Sequence, residues 1–343
     1  MENIENISND PTAAERKQDH IQLAFQSQIG NALLDKRFSY EPFLAAHPSE
    51  KLKSFSFLGK QIQTPIWVSS MTGGTEKAFQ INANLARACK QFGMGMGLGS
   101  CRVLLDSNDR LKDFDFRKTI GEDLPFYANI GIAQLEILVK DNKVHKVDAL
   151  VNALQADGII LHINPLQEWL QPEGDKITMA PITTIQRFID KTKQKIIVKE
   201  VGQGFGKESL RALLQLPIEA IELAAHGGTN FSKLELLRSN ENKLNTYKII
   251  AQIGHSAEEM VGFINELNAE LGSAVLCKQF IISGGIKNFL DGYYLQEKLK
   301  APSVYGQASS LLKYAERSYE ELEQYLLYQI EGLKLAKAFF KIN

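Results

Sequence analysis

The sequence predicts an α/β chain folded as a TIM (β/α)8 barrel, and three observations predict it. Short apolar or β-rich segments recur near 65–69, 93–97, 125–130, 158–162, 195–199, 218–223, 279–283 and 302–306, which makes eight candidate strands. Stretches with helical apolar spacing, 76–92, 133–155, 180–194, 207–215, 256–271 and 287–300, lie between them, and strands alternating with helices indicate a parallel sheet. The conspicuous polar and glycine-rich motifs sit just past the C-terminal ends of these strands, the face on which barrels of this kind carry their sites.

Residues 1–14 are polar and aperiodic and read as a disordered N-terminus, leaving 15–343 as a single barrel domain. Strand one, Ile66-Trp67-Val68, runs into Ser69-Ser70-Met71-Thr72-Gly73-Gly74. Strand two ends at Gly99-Ser100-Cys101-Arg102 and strand three at Asn129-Ile130-Gly131. Strand four, Gly158-Ile159-Ile160-Leu161, is a continuous apolar run of the buried parallel kind. The most informative segment follows it, His162-Ile163-Asn164-Pro165-Leu166-Gln167-Glu168, continuing to Gln171-Pro172-Glu173-Gly174-Asp175. Strand five delivers Lys199-Glu200-Val201-Gly202 and strand six His226-Gly227-Gly228-Thr229. Strands seven and eight end in Ser283-Gly284-Gly285 and Gly306-Gln307-Ala308. Residues 230–255 exceed an ordinary strand-to-helix connection and read as an excursion over the barrel mouth. The run 318–340 spaces its apolar residues as an amphipathic helix closing the barrel.

In extended chain His162 and Asn164 point the same way, and Gln167 and Glu168 follow after the Pro165 turn. One carboxylate among neutral hydrogen-bonding groups suits a divalent ion shared with a phosphate better than an all-protein cage. Glycine turns after strands six, seven and eight expose backbone N–H groups and form an anion site suited to a phosphate monoester. Lys199, at the end of a Val/Ile strand, suits the developing negative charge of a flavin or a phosphate, or alternatively a Schiff-base lysine.

Composition narrows the function classes. Net charge is −1 with no basic stripe, which argues against nucleic acid as a partner. No apolar run is long enough to span a bilayer and the N-terminus lacks a signal pattern, so a cytoplasmic enzyme is expected. Cys89, Cys101 and Cys277 are odd in number and widely spaced, and read as reduced thiols.

The motifs together resemble one family. Glu15-Arg16-Lys17-Gln18-Asp19-His20-Ile21, Met71-Thr72-Gly73-Gly74, Gly99-Ser100-Cys101-Arg102 and Ala128-Asn129-Ile130-Gly131 come first. His162-x-Asn164-x-x-Gln167-Glu168, Lys199-Glu200-Val201-Gly202, Gly227-Gly228-Thr229 and Ser283-Gly284-Gly285-Ile286 follow in order. This set is similar to type 2 isopentenyl-diphosphate delta-isomerase, the FMN-dependent family, over about residues 15 to 315. The resemblance implies a TIM barrel that interconverts isopentenyl and dimethylallyl diphosphate by a 1,3-allylic proton shift in isoprenoid biosynthesis. It implies FMN used in reduced form, with NADPH or NADH as reductant, and Mg2+. It also implies a homo-oligomer, a tetramer or octamer, in which the N-terminal Arg-Lys segment reaches a neighbouring subunit.

Residue by residue, the resemblance makes Glu168 the magnesium ligand. Gln167 and His162 become the catalytic pair, with the Gln167 amide near the reacting carbons. Arg16, Lys17, His20, Ser100, Arg102, His162, Asn164 and Gln167 would hold substrate. Met71, Thr72, Gly73, Ser100, Asn129, Lys199, Thr229, Gly284, Gly285, Gln307 and Ala308 would contact FMN. The chain departs from the family at Cys101, where Gln is usual, at Ala225 and His226, and at Phe231, where Trp is frequent. Ala225 replaces a glycine and so removes the easiest route to positive φ beside the flavin. Two other readings stay open: another FMN barrel of the hydroxy-acid oxidase or dehydrogenase type, and a non-catalytic binder of FMN or prenyl diphosphates.

Overall fold

In the computed structural model, which describes residues 12–48, 51–70 and 72–343, eight parallel strands close into a barrel. We number them β1 (Ile66–Val68), β2 (Gly95–Gly97), β3 (Phe126–Gly131), β4 (Gly158–Ile163), β5 (Ile196–Glu200), β6 (Ala220–Glu222), β7 (Phe280–Ser283) and β8 (Ser303–Gln307). Each pairs in parallel with its neighbours, and β8 closes on β1 through Tyr305↔Ile66 and Gly306↔Trp67. All eight expected strands are present. The TIM barrel read from the alternation of strands and helices is therefore the fold.

The barrel strands are buried on both faces, with Trp67, Tyr127 and Tyr305 among the largest fully buried side chains. That explains why they read as apolar runs and not as alternating patterns. Several outer helices start where the side chains dictate: Thr75, Asn230, Asn240, Asn288 and Ser318 each accept a backbone N–H of their first turn. Ser256 and Glu259 form a reciprocal capping box.

The structure departs from the sequence reading in four places. The helix expected over 133–155 is two helices, Ile132–Lys140 and His145–Ala153, because Asn142 takes φ 56° and the chain turns there. Helix Tyr319–Phe339 closes the ring of outer helices and does not cap an end of the barrel. It packs in the outer layer against helices Phe289–Lys298 and Ser309–Ala315. The end is closed instead by a hairpin, Phe55–Phe57 with Lys60–Ile62, which buries Phe57, Leu58 and Ile62. Its backbone and Lys60 reach Gln279, Leu124 and Asp157, all just before barrel strands, so it plugs the face opposite the strand C-termini. Finally, helix Ala13–Leu23 begins inside the stretch expected to be disordered; residues 1–11 lie outside the described residues.

The excursion after β6 is helical, Phe231–Arg238 then Glu241–Tyr247. Arg238 pairs with Glu173 at 2.6 Å, and Lys243 donates to the Leu170 carbonyl. Both contacts fasten it to the segment after β4. Among the described residues no helix is long and apolar enough to cross a membrane. The three cysteines are free and buried, as the reduced-thiol reading expects.

Candidate active site at the strand C-termini

The mouth contains a narrow cavity of about 60 Å³. Lys199, Thr229, Gly284, Gly285, Gln307 and Ala308 from the expected cofactor set line it, together with Ser69, Ser70, Glu222, Ala225 and Ser283. Thr72 lines a smaller adjoining cavity with Ser69 and Ala308. Gly73 packs beneath the Phe114 ring, which a Cβ would meet at 2.4 Å. Met71 lies outside the described residues.

Among the described residues, four buried polar atoms on this lining have no protein partner: Ser69 Oγ, Ser70 Oγ, Glu222 Oε2 and Gln307 Nε2. Buried polar groups are normally satisfied, so their grouping around one cavity suits a polar ligand or ordered water. Lys199 and Glu222 face each other across β5 and β6, Nζ to Oε1 at 3.9 Å, and both are buried. Lys199 also donates to the Glu200 carbonyl at 2.8 Å, while Ser283 Oγ donates to Glu222 at 3.2 Å. Glu200 accepts N–H bonds from Gly202, Gln203 and Gly204 and so shapes the loop after β5. Burial still holds its carboxyl above the usual range.

Beside this cavity, β4 presents His162, whose Nδ1 lies 2.8 Å from Asn129 Oδ1 on β3. Asn129 in turn donates its amide to the Leu98 carbonyl at 2.9 Å, so its amide is engaged inside the protein. Burial, and then the charge of Lys199, push the His162 imidazole down to about 3, and it is neutral at pH 7. Asn164 Nδ2 donates to Gln167 Oε1 at 3.1 Å and to Glu168 Oε1 at 3.0 Å. Glu168 Oε2 accepts the Asp175 N–H at 2.7 Å. Among the described residues no three His, Cys, Asp or Glu side chains converge as a metal cage.

Ser100 and Arg102 follow β2, with Arg102 paired to Asp175 at 2.7 Å. Arg16, Lys17 and His20 are placed elsewhere: they ride on helix Ala13–Leu23, which buries none of its residues, and none of them lines either mouth cavity. Sequence reasoning missed Glu235, a buried acid of the excursion that accepts from Gln167 Nε2 at 3.4 Å and pairs with Arg238 at 2.5 Å. The available signal was its Glu-x-x-Arg spacing on a short helix.

No protein-family model matches the chain. Curated relatives do. The chain is 33% identical over 326 residues to isopentenyl-diphosphate delta-isomerase of Rickettsia felis, covering 94% of this chain and 91% of the relative. The protein of that name from Rickettsia typhi is 31% identical over the same length. The chain belongs to the isopentenyl-diphosphate delta-isomerase family. That makes it a member of an isomerase family, as its motifs implied.

Solved structures give the same barrel. A mandelate oxidase mutant with a monooxide FMN adduct matches with a TM-score of 0.54 at 11% identity, over 90% of this chain and 88% of that one. The flavin-binding domain of baker's yeast flavocytochrome b2 matches with a TM-score of 0.58 at 12% identity, over 88% and 72%. At such identities the likeness is one of fold.

The departures from the isomerase family pattern now have positions. Positive φ falls on Ala224 (φ 43°) and not on Ala225, so the backbone strain sits at 224 and the alanine at 225 adds none. Gly284 (φ 90°) is needed there by the protein itself, since a Cβ would fall 2.1 Å from the Ala225 carbonyl oxygen. His226 turns its Nε2 toward the Ala251 carbonyl at 3.3 Å and lines a different cavity, with Arg37 and Asp291. Cys101 is buried, and burial pushes its thiol up to about 12, which keeps it an inert core group.

Proposed function

We propose that this chain interconverts isopentenyl and dimethylallyl diphosphate by a 1,3-allylic proton shift, with reduced FMN and Mg2+, and that residues 15–343 act as one FMN-binding domain. The observation that carries the reading is the join between two groups at the mouth. The cavity with four partnerless polar atoms abuts, through the neighbouring strand positions His162 and Lys199, the cluster of His162, Asn164, Gln167 and Glu168.

The residues fit FMN. A flavin edge of alternating donors and acceptors matches the orphaned Ser69, Ser70, Glu222 and Gln307 groups, and Lys199 supplies a cation. Thr72, Gly73, Ser100, Asn129, Lys199, Thr229, Gly284, Gly285, Gln307 and Ala308 would hold it, the glycine loops serving the phosphate. Reduced FMN would supply an electron-rich surface able to exchange protons beside a cationic carbon centre. Glu168 fits Mg2+ in the manner of a hard ion that takes one carboxylate and completes its shell with substrate phosphates and water.

The protein's own contribution is placement. Arg102, Ser100, His162 and Asn164 hold the diphosphate, and Arg16, Lys17 and His20 join them from a neighbouring subunit of a tetramer or octamer. A neutral His162 adds no charge of its own next to Lys199. Its Nδ1–H is taken by Asn129 Oδ1, which leaves Nε2 to meet the substrate. Gln167, steered by Asn164 and Glu235, presents an amide to the reacting carbons. An unactivated alkene is a weak base, so its protonation needs a site without competing water, and the closed far end of the barrel and the packed excursion provide one. The protein works in the cytoplasm with NADPH as reductant.

The test is an anaerobic assay of purified protein with FMN, NADPH, Mg2+ and isopentenyl diphosphate, scoring acid-labile dimethylallyl diphosphate while each component is omitted in turn. Product that requires every component supports the reading. Bleaching of oxidised flavin by a hydroxy acid without NADPH points to an oxidase, and ligand binding without turnover points to a binding protein.

A further inference from the structure

Asp175 ties together the loops after three consecutive strands. Its Oδ2 accepts from Arg102 of the β2 loop at 2.7 Å and from Gln134 Nε2, just past β3, at 2.8 Å. Its backbone N–H donates to Glu168 Oε2, just past β4, at 2.7 Å. The loop that carries it has little freedom. Gly174 lies so close to Glu168 that a Cβ would fall 1.9 Å from the Glu168 carbonyl oxygen. Downstream, the buried Glu136 carboxylate accepts the N–H groups of Thr178 and Met179 at 3.1 and 3.2 Å.

An acid beside a diphosphate site repels its ligand unless it has another task. A guanidinium carries five donors, and the contact with Asp175 engages one end of it, so Arg102 is able to hold Asp175 and an incoming phosphate together. Gln134 is neutral and orients the carboxylate without competing for the phosphate. Resting on the function proposed above, we infer that Asp175 is a positioning residue. It fixes Arg102 and Glu168 at a set separation, so that the cation and the magnesium ligand meet one diphosphate. Substrate binding, not the proton shift, is what it serves.

The experiment measures Mg2+–pyrophosphate binding to the FMN-loaded protein by calorimetry, with KM and kcat for isopentenyl diphosphate, in wild type, Asp175→Asn, Arg102→Ala and the double variant. Asp175→Asn keeps the shape of the side chain and its backbone N–H while removing the charge. The expected result is a roughly tenfold loss of pyrophosphate affinity and a matching rise in KM, with a smaller change in kcat and unchanged FMN affinity. In the Arg102→Ala background the same substitution should cost less than twofold, because the partner it orients is gone. Wild-type affinity or tighter binding in Asp175→Asn overturns the inference, since the carboxylate would then be idle or a competitor. Equal losses in both backgrounds overturn it too. If wild type itself does not bind Mg2+–pyrophosphate, the diphosphate site proposed above fails, and this inference with it; binding by wild type separates the two.

Discussion

His162 Nδ1 and Asn129 Oδ1 lie 2.8 Å apart across adjacent strands β3 and β4, at the point where the apolar run of β4 ends. The pair commits one nitrogen of the imidazole inward, while burial and the charge of Lys199 keep the ring neutral. A side chain that sequence alone shows only as a histidine past a strand thus acquires a tautomer and a direction.

The buried imidazole makes stability depend on pH. Burial lowers the folded pKa of His162 from 6.5 to about 3, so between these values the unfolded chain binds a proton that the folded chain refuses. Stability is fully present above pH 6.5 and falls as pH drops toward 3, with a slope approaching roughly 1.4 kcal/mol per pH unit for one proton. Urea unfolding at pH 7 and pH 5 should show the loss in wild type and a shallower one in His162→Gln. Equal slopes would contradict the buried neutral state.

A second acid-sensitive contact lies deeper on the pH scale. Burial tends to raise the Glu136 carboxyl, but the Lys140 ammonium, the Thr178 hydroxyl and the backbone N–H groups of residues 178 and 179 outweigh it and hold it at about 2. Its stabilisation is present above pH 4.5 and lost as pH falls toward 2. Glu136→Gln should flatten that limb and loosen the loop after β4, read as faster amide exchange at Thr178 and Met179. Unchanged exchange would remove Glu136 from the latch.

Lys199 and Glu222 form a buried pair, and breaking such a pair from one side leaves an uncompensated charge. Lys199→Met should destabilise the apo protein by about 3–5 kcal/mol, and Lys199→Met with Glu222→Met should recover most of it. Denaturant midpoints decide the matter. A double variant as unstable as the single would mean that Ser283 and the backbone, not the lysine, compensate Glu222.

Much of this was legible beforehand. The eight strands could be read because strands buried on both faces are continuous apolar runs. The Lys199, Thr229, Gly284, Gly285, Gln307 and Ala308 set followed from the family resemblance, carried by motifs that collect at strand C-termini, and these residues line one cavity. Contacts between distant segments could not be read. Glu235 meets Gln167 only because the excursion folds back, and the Phe55–Ile62 hairpin meets Gln279 only because the barrel has closed. The turn after β6 places its positive φ on Ala224 and not on Ala225, a choice that local sequence does not encode.

Glu168→Gln should reduce magnesium-dependent turnover roughly 10- to 100-fold while leaving FMN affinity within about twofold, since it weakens a hard anionic ligand remote from the flavin phosphate loops. Flavin fluorescence titration against steady-state rates separates the two. Equal loss of both would show that the division of the mouth is wrong.

Helix Ala13–Leu23 and the segment that follows it leave Ile21, Phe25, Ile29, Leu33, Phe43 and Leu44 exposed, with Phe43 97% accessible. A second copy of the chain is expected to cover these side chains and to bring Arg16 and Lys17 to a mouth. Light scattering should give a multiple of 38.4 kDa. A single-chain mass would leave these residues without a role at the site.

The central claim, a double-bond shift without net oxidation, is tested most directly by the ratio of dimethylallyl diphosphate formed to NADPH oxidised in a sealed anaerobic reaction. Many products for each NADPH, with turnover continuing once the flavin is reduced, is the expected result. One NADPH consumed per product, or reduced flavin with no product at all, would contradict it.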